Sequence, residues 1–215
     1  MSEVSQAGCV CVVDDDAEVR GALGSLARSS GLDVALHETT EAFLTAGLPS
    51  QASCLVLDVR LRGESGLDFQ ERLAGQGLAI PVILITGHGD IPMTVRGMRA
   101  GAIDFLPKPF SDEQMLAAVA TAIEADRARR AEAAGDAALH DGYARLTPRE
   151  REVMGLVVTG LMNKQVAARM ELSEITVKIH RGNVMRKMEA QSLADLVRMA
   201  EVLGVRDATI HRFNI

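Results

Sequence analysis

Five short apolar runs, each followed by a stretch with helical spacing, fill the first 125 residues of this 215-residue chain. In the stretches between the runs, apolar residues stand three or four positions apart, as Val19, Leu23 and Leu26 do, which predicts helices. Strands that are apolar along almost their whole length lie inside parallel sheets whose two faces are covered by helices. The pattern therefore predicts a doubly wound α/β domain with five parallel strands. The predicted strands are residues 9–13, 33–37, 54–57, 81–85 and 103–106.

Polar side chains follow four of the five predicted strands, at the point where each strand ends. Ligands of such sheets collect at the carboxyl ends of the strands, so these side chains are expected to share one edge. Clustered carboxylates repel one another unless a cation lies among them, and a set of oxygen ligands favours Mg²⁺. A lysine and a hydroxyl group at the same edge suit phosphoryl oxygens. The side chains are Asp14, Asp15 and Asp16 after the first strand, Asp58 after the third, Thr86 after the fourth and Lys108 after the fifth.

Each of these residues also has an ordinary structural explanation when it is taken alone. Asp16 stands where a helix N-cap is expected, and Asp14 or Asp15 could serve in the same way. Lys108, between two prolines, could be a solvated loop residue, and Thr86 a turn residue. Their placement at the ends of several strands favours a common site over separate structural roles.

The charge of the chain is divided unevenly. Residues 1–142 contain 11 lysine and arginine residues against 21 acidic residues, whereas residues 143–215 contain 12 against 8. The two parts therefore carry net charges of −10 and +4, which predicts an acidic module joined to a basic module that binds a polyanion. An accidental distribution of surface charge is the alternative, and the motifs must decide between them.

The sequence predicts a cytoplasmic protein without a membrane segment. No run reaches the roughly 18 apolar residues of a membrane span, and residues 1–10 lack the basic and apolar segments of a signal peptide. The three cysteines, an odd number, lie within predicted strands, so we expect buried, reduced thiols. Cys9 and Cys11 resemble half of a metal site, but further ligands are missing nearby.

After the last predicted strand the chain becomes helical. Residues 124–142 combine alanine with charged residues and contain one large aliphatic side chain, Leu139, which predicts a helical linker that is weakened at Gly135 and ends near Gly142. Thr147 and Glu150 form a capping-box pattern around a helix that begins at residue 148. We expect three further helices, with Asn163, Ser173 and Ser192 as N-caps, and the two helices that meet at residues 171–173 form a helix-turn-helix pattern.

The helix that follows Ser173 has two faces of opposite character, at about 100° per residue. Between residues 176 and 187 it contains four basic side chains and no acidic one. A cationic helix in an acidic protein indicates a helix that enters the major groove of DNA, because phosphate neutralisation supplies much of the affinity. Ile179 either contacts a thymine methyl group or is a slightly buried surface residue. The core face contains Val177, Val184 and Met188, and the opposite face contains Lys178, Ile179, Gly182 and Arg186, with Arg181 at its margin.

Residues 1–125 resemble the receiver domain of two-component response regulators. The motifs are Val-Val-Asp-Asp-Asp ending at Asp16, Leu-Val-Leu-Asp58, Ile-Thr86-Gly and Phe105-Leu-Pro-Lys108-Pro. The resemblance implies a flavodoxin-like fold and a Mg²⁺ cofactor, and one departure is Arg62, where the family usually has proline. By this resemblance Asp58 is the phosphoacceptor, Asp14, Asp15, Asp58 and the backbone carbonyl of Arg60 hold Mg²⁺, Thr86 and Lys108 bind the phosphoryl group, and Phe105 is the switch aromatic.

Residues 143–205 resemble the LuxR-type output domain of the NarL/FixJ response regulators. The motifs are Leu146-Thr-Pro-Arg-Glu-Arg-Glu-Val, Gly160-Leu-Met-Asn-Lys-Gln-Val-Ala and Ser173-Glu-Ile-Thr-Val-Lys-Ile-His-Arg. Such domains bind DNA as dimers, and Gly182 departs from relatives with a longer polar residue. The resemblance implies that Lys178, Ile179 and Arg181 approach bases and that Asn163, Lys164, Thr176, His180 and Lys187 contact the DNA backbone.

Together these patterns predict a transcriptional regulator that binds DNA when phosphorylated and is not an enzyme. The expected partners are a sensor histidine kinase, an operator in double-stranded DNA, RNA polymerase and, through residues 91–106, a second phosphorylated copy. Two alternatives remain, a Mg²⁺-dependent phosphotransfer enzyme and a receiver with an RNA-binding or protein-docking helical output. The predicted segments are a receiver at 1–125, a linker at 126–142, a DNA-binding domain at 143–205 and a tail at 206–215.

Overall fold

The computed structural model describes residues 8–49 and 52–205 of the chain. The chain divides into two compact units, of which the first ends at Arg130 and the second begins at Ala131. The predicted tail at 206–215 lies outside the described residues, and the four-segment division stays a prediction.

The first unit is a five-stranded parallel sheet with the strand order β2-β1-β3-β4-β5. This order is the doubly wound one, so the predicted fold class is confirmed. The elements are β1 (Cys9–Val13), α1 (Ala17–Ser29), β2 (Asp33–His37), α2 (Thr40–Ala46), β3 (Ala52–Asp58), α3 (Gly66–Gly75), β4 (Val82–Thr86), α4 (Ile91–Arg99), β5 (Asp104–Pro107) and α5 (Asp112–Ala144). The residues of α5 after Arg130 belong to the second unit.

The sheet is apolar because both of its faces are covered. Alternate residues of a strand point to opposite faces. Val12 and Val56 pack with residues of α1 and α5 on one face, whereas Val13 and Leu57 pack with residues of α2 and α3 on the other. The strand β2 lies at an edge of the sheet and is partly exposed. This burial fixes the strand register, and with it the residues that reach the carboxyl edge of the sheet.

Local sequence signals set the helix boundaries in the first unit. Asp16 caps α1 as predicted, since its carboxylate accepts hydrogen bonds from the backbone N–H groups of Glu18 and Val19 at 2.8 and 3.3 Å. The long helix α5 continues through Gly135 to Ala144.

Every helix in residues 8–49 and 52–205 is too short or too polar to cross a lipid bilayer.

The cysteines are buried free thiols, as expected. Burial raises the pKa of Cys11 and of Cys54 to about 12, so neither is ionised near neutral pH. These side chains fill the sheet interior together with the surrounding valines and leucines.

Up to residue 205, where its described part ends, the second unit contains four short helices after the end of α5. Its core is made by Met154, Val184 and Leu196, with Leu139 and Tyr143 of α5 packed against them. The predicted capping box is present, because Thr147 and Glu150 bond each other's backbone N–H groups. The helices are α6 (Pro148–Val157), α7 (Asn163–Met170), α8 (Glu174–Lys187) and α9 (Leu193–Val202).

The prediction that Asn163 caps α7 is wrong. Met162 is the N-cap residue, and its backbone N–H donates to the side chain of Gln165 at 2.9 Å. The Oδ1 atom of Asn163 instead accepts a hydrogen bond from Arg181 at 3.1 Å, which connects the two helices of the helix-turn-helix. Glu171, at φ 55°, makes the turn between those helices.

Candidate functional sites: an acidic edge and a cationic helix

Three carboxylates converge at the carboxyl edge of the sheet. Asp14 and Asp15 follow β1, and Asp58 is the last residue of β3. One ligand oxygen from each lies within 4.8 Å of the others. Asp14 is fully buried and Asp58 is 7% exposed, so their charges are held largely away from water. The sequence predicted this convergence, and the parallel pairing of β1 with β3 produces it.

Lys108 lies between two of these carboxylates. Its Nζ atom is 2.8 Å from Asp14 Oδ2 and 3.1 Å from Asp58 Oδ2. Burial alone would lower the pKa of Lys108, but its bond to Asp14 and the charges of both aspartates raise it. Burial raises the pKa of Asp58, although the backbone N–H of Arg60 and the charge of Lys108 oppose the change. Lys108 and Arg62, which pairs with Asp15, supply two positive charges against three carboxylates, so negative charge is in excess.

The three carboxylates fit a magnesium ion. They offer hard oxygen ligands at the ends of neighbouring strands, and the distances among them suit a shared divalent cation. Arg62, in the position where receivers usually have proline, pairs with Asp15 at 3.0 Å, although its side chain is 82% exposed. The backbone N–H of Arg60 donates to Asp58 Oδ1 at 3.2 Å, and the predicted role of its carbonyl stays a prediction.

Thr86 and Phe105 border the same glycine, Gly89, near this edge of the sheet. Thr86 is buried at the end of β4, and its carbonyl accepts the backbone N–H of Lys108 at 2.7 Å. A Cβ atom on Gly89 would come within 2.9 Å of Phe105 Cε1 and 3.1 Å of Thr86 Cγ2. The aromatic ring and the threonine methyl group therefore both border Gly89, which has no room for a side chain. The sequence predicted the pair but not the need for this glycine.

Gly66 is a second residue that the sequence analysis missed. A Cβ atom there would come within 2.1 Å of the carbonyl oxygen of Asp58. The backbone N–H of Gly66 donates to the carbonyl of Val59 at 2.9 Å, so the loop after Asp58 closes tightly on itself. Only a residue without a side chain permits this approach, and the loop thereby holds the Asp58 backbone in place.

The helix α4 is attached to α3 by polar contacts between residues far apart in the sequence. Gln70 is buried, and its Nε2 atom donates to the carbonyl of Gly97 at 3.2 Å. Arg96 pairs with Asp68 at 2.6 Å and with Glu71 at 2.8 Å. The helix approaches the sheet so closely at Gly97 that a Cβ atom would lie 2.4 Å from Leu84 Cδ1.

One side of α4 presents apolar side chains to solvent. Ile91 is 81% exposed, Val95 44% and Met98 45%. These residues are three and four positions apart, so they form a row on one face. The row lies within the segment 91–106 that we expect to pair two copies.

In the second unit, α8 has the two faces that its sequence predicts. Val177, Val184 and Met188 are buried. Ile179 is 59% exposed, and Lys178, Gly182 and Arg186 are also exposed. The cationic side of α8 is therefore available at the surface of the unit.

The residues that the resemblance assigns to the DNA backbone have different surroundings. Lys164 is exposed near the start of α7, whereas Thr176 shares a hydrogen bond with the cap Ser173 at 2.8 Å. The Nδ1 atom of His180 is buried and has no hydrogen-bond partner among the described residues. Lys187 donates to Glu150 at 2.6 Å and to the carbonyl of Arg145 at 3.1 Å.

Lys187 and Glu150 form a structural pair that the sequence did not reveal. Burial would raise the pKa of Glu150, but the hydrogen bonds from Lys187 and Thr147 outweigh it and lower the pKa to about 2. The pair joins the end of α8 to the start of α6. This contact links α8 to α6 in addition to the apolar core that the two helices share.

Two family models match the chain, one in each unit. The response regulator receiver domain matches residues 10–120, and the luxR family of bacterial regulatory proteins matches residues 144–200. Nodulation protein W of Bradyrhizobium diazoefficiens is 55% identical over 95% of this chain and 90% of that protein. Transcriptional regulatory protein FixJ of Azorhizobium caulinodans is 44% identical over 93% of this chain and 94% of that protein.

Solved structures give the same result. The response regulator StyR shares 45% of its sequence, with a TM-score of 0.82 over 91% of this chain and 98% of that one. Full-length FixJ from B. japonicum shares 40%, with a TM-score of 0.55 over 93% and 98% of the two chains. With matching domains in the same order and similarity along almost its whole length, the chain belongs to the NarL/FixJ family of response regulators, which join a receiver domain to a LuxR-type DNA-binding domain.

Proposed function

We propose that Asp58 accepts a phosphoryl group from a sensor histidine kinase. The observation that carries this proposal is the contact of Lys108 with both Asp14 and Asp58 inside a group of three carboxylates. A carboxylate oxygen of Asp58 attacks phosphorus, the phosphorus–nitrogen bond of the kinase phosphohistidine breaks, and an acyl phosphate forms. Asp14, Asp15, Asp58 and the carbonyl of Arg60 would hold Mg²⁺, which offsets the negative charge of the transferred group when it is bound.

The phosphoryl group changes the surface of the receiver through Thr86 and Lys108. The three new acceptor oxygens draw the hydroxyl of Thr86 and the ammonium of Lys108 toward Asp58. Phe105, which borders the same glycine as Thr86, then fills the space that the threonine vacates. The segment 91–106 changes shape as a two-state element.

Phosphorylation thereby pairs two copies and increases DNA binding. The exposed row Ile91, Val95 and Met98 is an apolar surface that a second copy would cover. Pairing raises the effective concentration of the second output domain on a palindromic operator. The cationic face of α8 enters the major groove, and the bound dimer acts on transcription through RNA polymerase.

One relative of this chain is the transcriptional regulatory protein FixJ, and we expect no turnover of a metabolite at the acidic edge. Both proposed partners, the kinase and DNA, are met in the cytoplasm, where we expect the protein to act. The RNA-binding and phosphotransfer alternatives have no residue-level support beyond the features already used.

The test compares Asp58→Asn with Asp112→Asn, which changes an exposed carboxylate at the start of α5. The full chain is incubated with labelled acetyl phosphate and Mg²⁺. We expect label on the wild type and on Asp112→Asn, and none on Asp58→Asn. Label retained by Asp58→Asn would contradict the assignment.

A second measurement tests the coupling to DNA. Sedimentation and duplex binding of the wild type are measured with and without beryllium fluoride, which mimics the phosphoryl group. We expect the mass to double and operator affinity to rise. Unchanged mass and affinity over a range of protein concentrations would reject the proposed switch.

A further inference from the structure

Two isoleucines occupy the outermost side of α8. Ile175 is 74% exposed and Ile179 is 59% exposed. At about 100° per residue they lie about 160° and 200° around the helix from Val177, which is fully buried. The two side chains are thus one turn apart on the side that points directly away from the core.

An apolar pair in this position is at odds with the rest of the exposed face. Glu174 precedes Ile175, but the exposed side chains Lys178 and Arg186 are cationic, and the stretch from residue 176 to 187 has no acidic residue. That charge is complementary to DNA, and the first residues of a recognition helix are those that reach the bases. Both isoleucines belong to the first half of α8.

The chemistry of the major groove decides what these side chains can recognise. Its base edges present hydrogen-bond donors and acceptors, with one apolar group, the 5-methyl group of thymine. An isoleucine gains nothing from a donor or an acceptor, but it can bury a methyl group. Four helical residues span about 6 Å, which is close to two base steps of about 3.4 Å each.

The other residues on this side leave room for such contact. Gly182 has no side chain, and a Cβ atom there would meet nothing within 4 Å. Arg181 lies only about 40° around the helix from Val177, so it is not on this outer side, and it bonds to Asn163. The helix can therefore approach the groove closely, with the isoleucines foremost.

We propose that Ile175 and Ile179 read the methyl groups of two thymines, about two base steps apart, in each half-site of the operator. This inference rests on the proposed role of α8 as the DNA-binding helix. It adds Ile175 to the residues that determine specificity. Of the two alternatives for Ile179, it selects contact with a thymine methyl group over a slightly buried surface position.

The test removes the methyl groups and leaves the base pairing unchanged. Bound duplexes are first selected from a random pool with the full chain in beryllium fluoride. Each thymine of the selected half-site is then replaced, one at a time, by deoxyuridine, which lacks the 5-methyl group. We expect about fourfold weaker binding at two positions, the effect of losing one buried methyl-sized contact, and no change at the others.

Variants assign each isoleucine to its thymine. With Ile175→Ala, the affinities for the thymine duplex and the uracil duplex should become equal at one of the two positions. With Ile179→Ala, they should become equal at the other position. The control Val202→Ala, at a 62% exposed position on α9, should keep both ratios. Each comparison uses the affinities of one variant for two duplexes, so a general loss of affinity in that variant lowers both values equally and does not change their ratio.

Equal affinity for thymine and uracil at every position, with specific duplex binding intact, would overturn the inference and leave the proposed function standing. Failure to select any duplex would instead reject the proposed function.

Discussion

Lys108 in the first unit and Lys187 in the second both bond to buried carboxylates, yet their surroundings differ. Lys108 contacts Asp14 and Asp58, and a third carboxylate belongs to the same group. Lys187 contacts one carboxylate, Glu150, which also accepts the backbone N–H of Thr147.

The difference lies in the balance of charge. In the second unit one cation meets one anion, and the remaining bonds go to backbone groups, so the pair is complete as a structural link. In the first unit negative charge is in excess, so the site can gain stability by taking up a further cation. The excess negative charge, rather than the ion pair itself, therefore distinguishes the acidic edge from the Lys187–Glu150 pair.

The largest effect is expected for Gly66→Ala, which should disturb the first unit only. The new Cβ atom meets the backbone oxygen of Asp58 at 2.1 Å, so the backbone must shift, at a cost of about 3 kcal/mol. Urea unfolding with hydrogen exchange in each unit would measure this loss. Gly75→Ala is the control, because a Cβ atom there meets nothing within 4 Å. Equal stability of the two variants would contradict the close approach.

Glu150→Gln should destabilise the second unit by about 2 kcal/mol at pH 7, because a charged hydrogen bond is lost. The pKa of this carboxyl group is about 2 in the folded chain and 4.5 as a reference. A lowered pKa gives stability that is complete above pH 4.5 and is lost as the pH falls toward 2. The wild type should lose stability over that range, and Glu150→Gln should lose less of it.

Unfolding followed by hydrogen exchange of α6 and α8, from pH 7 to pH 2, would test the Glu150 prediction. Glu152→Gln, at a half-exposed position that pairs with Arg149, is the control. Parallel pH profiles for the wild type and Glu150→Gln would show that Lys187 does not stabilise the ionised carboxylate.

Lys108→Met should raise the affinity of the first unit for Mg²⁺ by about tenfold, since a competing cation is removed from Asp14 and Asp58. Lys187→Met should leave that affinity unchanged. Calorimetric titration of both variants with Mg²⁺ would separate them. A similar affinity in both would mean that the two lysines do not differ in the way proposed.

The smallest effect is expected for Gly182→Ala, which should stabilise the second unit by about 0.5–1 kcal/mol by reducing the freedom of the unfolded chain. Nothing lies within 4 Å of the added Cβ atom. Gly160→Ala should have the opposite effect, because residue 160 has φ 90°. A destabilised Gly182→Ala protein would indicate that the outer side of α8 has a packing role. Thermal unfolding of both variants measures the difference.

Much of the site could be predicted because its residues follow strands. The burial of β1, β3 and β4 requires apolar residues along their length, and the next polar residue then marks the edge of the sheet. The faces of α8 were equally predictable, because the 3.6-residue period of a helix assigns each residue of the sequence to one face. The cap at Asn163 was wrong because Arg181, 18 residues away, takes the asparagine oxygen.

The sequence by itself determined the number and parallel direction of the strands, the meeting of Asp14, Asp58 and Lys108, and the cationic face of α8. Each of these follows from spacing within a single element or from the shared direction of parallel strands. Only the tertiary structure decided that Gly66 must lack a side chain and that Lys187 bonds to Glu150. Those contacts depend on interatomic distances between segments that are separate in the chain, and such distances leave no periodic signal in the sequence.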